Sequence, residues 1–432
     1  MLSVGYYPYA ETAHSVEAAW LAEHLPVAVR VAAGAPSLNG GWPDHHRAIR
    51  EPGSRDRLTS VVKAFLRVPA VVAEGPGGFL LAALLRTDGF GGTITVLPYV
   101  NPRRWYDVAA VTLYGLFADP RDRVFLGSAP SAAIYQSLGV DALVGEPYGI
   151  DERVFTPGPG PGRVREELSI PPGRLLLYAG RAQPDKDLYR VLRVGLKARL
   201  LFPDLQVVVA SHVVDETYLA AARALVDDRD GVHFRAPSTQ RQLADLYRAA
   251  DLFVTASTSH FETFGRAVAE ALACGTPAVA PRYDGFVEVL AQPGGRLVDV
   301  DIDEPSGVPR ADEEQLLRAV YEVLSAPDRL DGAVVAAVAR SRFGRCGTIG
   351  LLRHLVGEPA AWPVGGPVAA AKLELPDEWR QTVAEMNGRD RHQAVSWFWD
   401  AGDHDRLARH DGGFAAQVRR LLCQPSPAGT GR

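Results

Sequence analysis

The segment Asp251–Glu270, DLFVTASTSHFETFGRAVAE, decides the fold of this chain. Its beginning, Leu252–Thr255, is apolar and β-branched and predicts a buried strand, and its end predicts a helix from near Gly265 to Ala273. A short loop between a buried strand and a helix is typical of a doubly wound α/β domain. Because ligands of such sheets bind at the carboxyl ends of the strands, we expect a binding site in this loop.

The same alternation of short apolar runs and longer amphipathic stretches continues along most of the chain, which predicts parallel sheets covered by helices. The run Thr156–Arg163, TPGPGPGR, interrupts it and predicts a linker, since proline and glycine make poor helices and strands. We therefore predict Rossmann-like domains over residues 1–155 and 165–340. The tail, residues 341–432, is predicted to be a helical extension that packs back on the first domain.

Composition agrees with a two-domain globular protein and excludes several classes. The chain has 432 residues, whereas single cores rarely grow past ~250–300. A net charge of −5 argues against nucleic acid or an anionic membrane as the main partner. The three cysteines form no metal-binding spacing, which favours a reducing compartment. Without a long apolar run or a basic, then apolar N-terminus, we expect a cytoplasmic protein with no stable membrane insertion.

Glu270 is unusual because it lies in RAVAEALACG, a helix made otherwise of small and apolar residues apart from Arg266. A carboxylate is costly to bury unless it is hydrogen-bonded. A ribose 2′,3′-diol would satisfy both of its oxygens, as acidic residues do in dinucleotide-binding folds. The alternatives are an ion pair with Arg266 one turn earlier or simple exposure to solvent, and the helix pattern alone supports all three.

The start of this helix is a candidate phosphate site. The first N–H groups of a helix have no partner within it and attract anions. Thr263, Phe264 and Gly265 are placed to offer such groups, and glycine allows a close approach because it has no Cβ.

A second candidate cluster is Tyr178–Lys186, YAGRAQPDK, which follows another predicted buried strand. Arg181 and Lys186 lie in the loop at the carboxyl end of that strand. Two cations there can neutralise a diphosphate and stabilise it as it leaves. The alternative is that both side chains are merely solvated, but their placement in the same domain as Glu270 favours a diphosphate site.

These segments resemble the retaining glycosyltransferases of family 4. The signature of that family is two glutamates separated by seven residues, and Glu262 and Glu270 have this spacing. An Arg and a Lys after a strand and a glycine match Arg181 and Lys186, and Gly149 resembles the start of the family's Gly-x-Asp segment between the domains. The resemblance covers roughly residues 123–300. It implies a GT-B fold, with two doubly wound Rossmann-like domains facing a cleft.

The resemblance also implies a reaction, in which a sugar moves from a nucleotide diphosphate sugar to an acceptor hydroxyl or amine with retention of configuration. A UDP-sugar is the expected donor, the acceptor is a small natural product or a glycan, and no resident cofactor or metal is needed. The implied catalytic residues are Glu262 on the sugar and Arg181 and Lys186 on the diphosphate. The other implied donor-site residues are Arg235 at the nucleobase, Thr263, Phe264 and Gly265 along sugar and phosphate, and Glu270 at the ribose.

The first domain departs from the family pattern. Its first loop, Tyr7–Ser15, lacks the paired glycine of many relatives, and His14 is the polar residue that we assign there. The stretch VLPYVNP offers Tyr99 and Asn101 where many relatives have a histidine. We place these three residues on the acceptor side. The run Glu74–Gly78, EGPGG, is interpreted as a loop that either shapes that side or only turns the chain.

Other interpretations compete with transfer. The acidic run Asp299–Glu304 resembles a metal-binding DxD pattern, but we interpret it as a solvated loop because Arg181 and Lys186 already supply positive charge. Another enzyme of the same architecture, such as a nucleotide-sugar epimerase or hydrolase, would turn over the donor without an acceptor. A non-catalytic nucleotide-sugar-binding protein would bind the donor without turnover.

Overall fold

The chain forms two compact units in a computed structural model. The first unit comprises Met1–Tyr148 and Gly347–Leu421, and the second comprises Gly149–Cys346 and Leu422–Arg432. The structure describes residues 2–7, 27–31, 54–144, 149–158, 164–166, 169–211, 215–227, 231–303, 307–326, 331–344, 373–400 and 404–423.

The first unit is built on a parallel sheet. Its described strands are β1 (Leu2–Tyr7), β2 (Val27–Val31), β3 (Ala70–Glu74), β4 (Thr93–Leu97), β5 (Arg123–Leu126) and β6 (Leu143–Val144). The strand order is β2-β1-β3-β4-β5-β6, so the chain reverses its direction of travel across the sheet between β1 and β3. Helices of this part are α1 (Ser54–Phe65), α2 (Gly75–Thr87), α3 (Trp105–Gly115) and α4 (Ala129–Ser137).

The interpretation of Glu74–Gly78 as a loop is wrong, because α2 begins at Gly75 directly after β3. Pro76 suits a first helical turn, where its missing N–H has no partner to lose. A Cβ at Gly78 would lie 2.9 Å from the backbone of Ala73. The glycine is therefore needed where the helix passes close to the strand, rather than for a flexible turn.

The second unit repeats the doubly wound plan. Its strands are β7 (Leu175–Ala179), β8 (Gln206–Ala210), β9 (Val232–Arg235), β10 (Leu252–Val254), β11 (Ala278–Pro281), β12 (Gly295–Val298), β13 (Val300–Asp303) and β14 (Val308–Ala311). Its helices are α5 (Leu188–Leu201), α6 (Glu216–Arg223), α7 (Gln240–Ala249), α8 (Arg266–Ala273), α9 (Phe286–Leu290), α10 (Glu313–Ser325) and α11 (Gly332–Phe343). The parallel sheet has the order β12-β11-β10-β7-β8-β9. The chain therefore changes direction between β7 and β10, and this is the switch point at which doubly wound sheets bind ligands.

The part of the acidic run from Val300 to Asp303 is a strand and not the predicted loop. Val300–Asp303 pairs in antiparallel fashion with Val308–Ala311. The side chains of Asp301 and Asp303 are nevertheless exposed. Alternation of exposed acids with half-buried Val300 and Ile302 is the pattern of an edge hairpin with one solvated face.

The boundary between the units lies at Tyr148–Gly149 rather than at residue 155. The N–H of Ile150 donates to the carbonyl of Phe343 at 2.8 Å, and Phe155 is buried in the core of the second unit. Arg248 also donates to the carbonyl of Thr156 at 2.8 Å. These contacts anchor the segment before the Pro/Gly run to the second unit, a long-range effect that composition does not reveal.

The tail adds helices to the first unit. They are α12 (Asp377–Asn387), α13 (Arg391–Asp400), α14 (His404–Ala408) and α15 (Asp411–Leu422). Trp379 packs on Trp105 of α3 with ring centroids 5.5 Å apart, and the indole N–H of Trp105 donates to Nδ1 of His404 at 3.0 Å. Among the described residues, no helix is long and apolar enough to cross a membrane.

Candidate functional site

The loops that follow β7 and β10 meet at the switch point of the second unit. Lys186, the last residue of a 3-10 turn over Pro184–Lys186, forms an ion pair through Nζ with Oε1 of Glu262. Each of these side chains is 13% exposed, so the pair is largely removed from water. The structure thus brings together two of the sequence-predicted donor-site residues from distant parts of the chain.

The hydroxyl of Ser257 contacts Glu262, and the hydroxyl of Ser259 continues the network to Asp185. Ser257 Oγ donates to Glu262 Oε1 at 2.7 Å and accepts from the N–H of Ser259 at 3.3 Å. Ser259 Oγ donates in turn to the carboxylate of Asp185 and accepts from the N–H of Phe261 at 3.3 Å. These bonds join the β10 loop to the β7 loop, and each buried polar group gains a partner.

Arg181 is held by an aromatic ring instead of an acid. Its Cζ lies 4.9 Å from the centroid of the Phe261 ring, and its carbonyl accepts from the hydroxyl of Tyr178 at 3.0 Å. Within the described ranges the guanidinium forms no ion pair. A cation–π contact orients a guanidinium without neutralising it, so the positive charge remains available to an anionic ligand.

The helix start beside this cluster is shaped by two glycines. Gly265 is the N-cap of α8, has a φ of +84° and supplies no side-chain cap. A Cβ at Gly265 would lie 2.8 Å from Cδ1 of Phe286, and one at Gly285 would lie 2.6 Å from the backbone of Phe264. The loop before α8 therefore packs closely on the turn before α9.

Glu270 is buried, with only 8% of the residue exposed, so simple exposure to solvent is excluded. The hydroxyl of Tyr247 on α7 donates to Glu270 Oε2 at 3.4 Å. Burial raises the pKa of Glu270 to about 7, while the charge of Arg266 and the Tyr247 hydrogen bond act in the opposite direction. Burial therefore favours the neutral form of this carboxyl group in the free protein.

This pKa predicts an unusual dependence of stability on pH. Because the folded-state pKa lies above the ordinary value of 4.5, the group contributes stability fully below pH 4.5 and loses it as pH rises through 7. The wild type should therefore lose about 3 kcal/mol of its free energy of unfolding between pH 5 and pH 8, and Glu270→Gln should not show this loss. Urea unfolding followed by circular dichroism at both pH values measures the difference. The exposed carboxylate Glu322 on α10 is the matched control, and an equal response of Glu322→Gln would refute the assignment.

The remaining predicted donor residue lies apart from this cluster. Arg235 is the last residue of β9, the edge strand two positions from β7, and its guanidinium donates to the carbonyl of Phe234 at 3.2 Å. At the ~4.8 Å spacing of neighbouring strands, it lies on the order of 10 Å from the β7 loop. That separation is suited to the far end of a nucleotide whose phosphates lie at the switch point.

The predicted acceptor-side residues fall in the first unit. Tyr99 and Asn101 follow β4, and Asn101 is buried and donates through Nδ2 to Ser131 Oγ at 2.9 Å. His14 lies outside the described residues. Glu74, which belongs to the run EGPGG, is the fully buried last residue of β3, and its Oε1 accepts from the hydroxyl of Tyr99 at 3.4 Å.

Sequence reasoning missed the groups that contact the predicted donor-site residues. Ser257, Ser259 and Asp185 were visible as polar residues beside Glu262 and Lys186, and alternation of serines after a buried strand was the available signal. No local pattern pointed to Tyr247, because its contact with Glu270 joins two different helices.

The fold can be compared with solved structures. Anabaena HepE in complex with UDP and glucose superposes with a TM-score of 0.62 at 15% identity, covering 83% of this chain and 100% of that one. Sucrose-phosphate synthase from Thermosynechococcus elongatus gives a TM-score of 0.65 at 17% identity over the same shares. Two Rossmann-like units with added helices, arranged in these strand orders, define a protein of the GT-B fold class.

The second unit carries the more specific likeness. Residues 163–305 match the family described as "Glycosyl transferases group 1". D-inositol 3-phosphate glycosyltransferase of Thermobispora bispora is 32% identical over 221 residues, which are 49% of each chain. D-inositol 3-phosphate glycosyltransferase 2 of Catenulispora acidiphila is 35% identical over 221 residues, 46% of this chain and 49% of that protein. The chain thus spans about half the length of these curated relatives.

Proposed function

We propose that this protein is a retaining glycosyltransferase that transfers a sugar from a UDP-sugar to an acceptor hydroxyl. The observation that carries the proposal is the cluster of Arg181, Lys186 and Glu262 at the switch point of a group 1 domain. The names of the curated relatives support sugar transfer, and UDP bound to a structural neighbour supports the choice of nucleotide. The sugar, the acceptor class and the retention of configuration are part of the proposal.

The two cations bind the donor diphosphate. Arg181 offers an unneutralised guanidinium whose planar donors suit phosphate oxygens. Lys186 adds a second positive charge, which is shared with Glu262 before the donor binds. Together with the N–H groups at the start of α8, they stabilise the negative charge that grows on the leaving diphosphate. No resident cofactor takes part in this scheme.

Glu262 binds hydroxyls of the transferred sugar. Ser257 and Lys186 both contact its Oε1, so the carboxylate is already oriented before substrate arrives. Thr263, Phe264 and Gly265 line the sugar and phosphate. Catalysis then depends mainly on positioning and on electrostatic stabilisation, with the departing phosphate accepting the proton of the acceptor hydroxyl on one face of the sugar.

Glu270 binds the ribose diol and Arg235 borders the base. A diol donates two hydrogen bonds, and these favour the ionised form of a carboxyl group whose burial favours the neutral form. Nucleotide binding should therefore release protons near pH 7. In this proposal the buried Glu270 is compatible with an otherwise apolar helix face because the ribose hydroxyls of the bound nucleotide supply the hydrogen-bond donors that its carboxylate needs.

Thermal shift with a panel of nucleoside diphosphates and nucleotide sugars tests the donor site. UDP and UDP-glucose at about 100 times their Kd should raise the Tm of the wild type by about 5 °C or more, since they bind only the folded state. Glu270→Ala should abolish the shift, whereas Glu322→Ala, which removes an exposed carboxylate of the same unit, should retain it. If no nucleotide shifts the wild type, the donor site is wrongly assigned. Donor turnover without an acceptor would favour a hydrolase or epimerase, and binding without turnover would favour a non-catalytic protein.

A further inference from the structure

Three successive residues of the β10 loop take hydrogen-bond partners in different elements. Ser257 Oγ donates to Glu262 Oε1 at 2.7 Å, whereas the hydroxyl of Thr258 donates to the carbonyl of Pro309 in β14 at 2.7 Å. Ser259 Oγ then donates to the β7 loop. The loop that carries Glu262 is thus attached to the hairpin β13–β14 at the residue between its two serines.

The hairpin is itself anchored in the second unit. β14 pairs with β13 over four residues, Ala311 at its end belongs to the core, and Pro309 is buried as well. Arg310, next to Pro309, brings Nη1 to 3.8 Å from Oδ2 of Asp187, which directly follows Lys186 and caps α5. β14 therefore contacts the loops after both β7 and β10, although neither strand is its neighbour in a sheet.

The hydrogen bond of Thr258 is the stronger of these two links. The side chain of Arg310 is 49% exposed, and an ion pair that is open to water contributes little. Thr258 is half-buried, and loss of its hydroxyl would leave the carbonyl of the buried Pro309 without this donor. The loop would then keep its serine contacts but lose its attachment to the hairpin, so that Glu262 would be held less firmly.

We infer that Thr258 is a positioning residue for Glu262, and that the hairpin β13–β14 is the support from which it acts. The inference rests on the proposed function and deepens it, because it states what holds the group that binds the sugar of the donor. Contacts to sugar hydroxyls are sensitive to small displacements of the carboxylate. The proposed ribose and base contacts come from α8 and β9, so a displaced Glu262 should affect the sugar and not the nucleoside.

The test compares the affinities of the full-length chain for UDP and for UDP-glucose by isothermal titration calorimetry. Thr258→Val removes the hydroxyl and should weaken UDP-glucose by about tenfold, while the affinity for UDP changes by less than about twofold. Thr258→Ser keeps a hydroxyl and should restore both affinities. Thr87→Val is the matched control, because it removes a half-buried hydroxyl that donates to the carbonyl of Ala83 at 2.9 Å in the first unit, and it should change neither affinity.

A purely structural role of Thr258 predicts a different result, since it would not distinguish the two ligands. Equal losses for UDP and UDP-glucose in Thr258→Val, or a loss that Thr258→Ser does not restore, would overturn the inference, as would a wild type that binds the two ligands equally. Binding of UDP by the wild type reports separately on the donor site. Its absence would overturn the proposed function and the inference with it, whereas UDP binding without the selective loss would overturn the inference alone.

Discussion

Asp122→Ala should lower the free energy of unfolding of the first unit by about 3–5 kcal/mol, the effect of stranding one member of a buried ion pair. The side chains of Arg86 and Asp122 are 5% and 2% exposed. Asp122 also accepts from the N–H of Ile94 at 3.1 Å and of Asp119 at 2.9 Å. The substitution therefore leaves a guanidinium and two backbone donors without this carboxylate, and nearby water cannot easily replace it.

Tryptophan fluorescence during urea unfolding measures this effect selectively. All seven tryptophans lie within the sequence ranges of the first unit. Arg121→Ala is the matched control, because its ion pair with Asp119 joins side chains that are 58% and 27% exposed and should be worth less than about 1 kcal/mol. The pair of substitutions Arg86→Met and Asp122→Leu should together destabilise less than Asp122→Ala alone. Equal losses for Asp122→Ala and the control would refute this account of the pair.

This ion pair also shows what the sequence could not predict. Arg86 lies near the end of α2 and Asp122 just before β5, and nothing in either local pattern indicates a partner. Arg86 further donates to the carbonyls of Phe90 at 2.6 Å and Gly92 at 2.9 Å, so it organises the connection to β4. Long-range polar contacts of this kind depend on how helices lie on the sheet, which periodicity does not encode.

The second unit was predicted more fully, because its site residues follow strands. Carboxyl ends of neighbouring parallel strands meet at one edge of a sheet, so the β7 and β10 loops had to lie close together. The contact between Lys186 and Glu262 follows from this rule. The partner of Glu270 does not, because Tyr247 lies on a separate helix. The hairpin at Val300–Asp303 was missed because its charged alternation is equally typical of a solvated loop.

The second large effect concerns Arg181, whose removal should affect donor chemistry without affecting stability. In the presence of an acceptor, Arg181→Ala should reduce the rate of UDP release from saturating UDP-glucose by about 10²–10³-fold, as loss of one preorganised donor to a transition-state charge does. Its free energy of unfolding should change by only about 1 kcal/mol, the value of a cation–π contact that is partly open to water, because no acid loses its partner. Lys186→Ala differs, because it leaves the half-buried carboxylate of Glu262 without its cation and should lower both activity and stability.

Two further variants test whether the effect of Arg181 depends on its charge alone or also on the position of its guanidinium. Arg193→Ala removes the same charge from α5, where the side chain is 45% exposed and pairs with Glu313, and should leave the rate within about twofold of wild type. Phe261→Leu keeps the guanidinium but removes the ring 4.9 Å from it, and should reduce the rate less than Arg181→Ala does. A rate for Arg181→Ala equal to that of Arg193→Ala would mean that Arg181 is only a solvated loop cation. If Phe261→Leu instead matched Arg181→Ala, orientation by the ring would be as important as the charge itself, since a mobile guanidinium must be ordered before it can stabilise the leaving diphosphate.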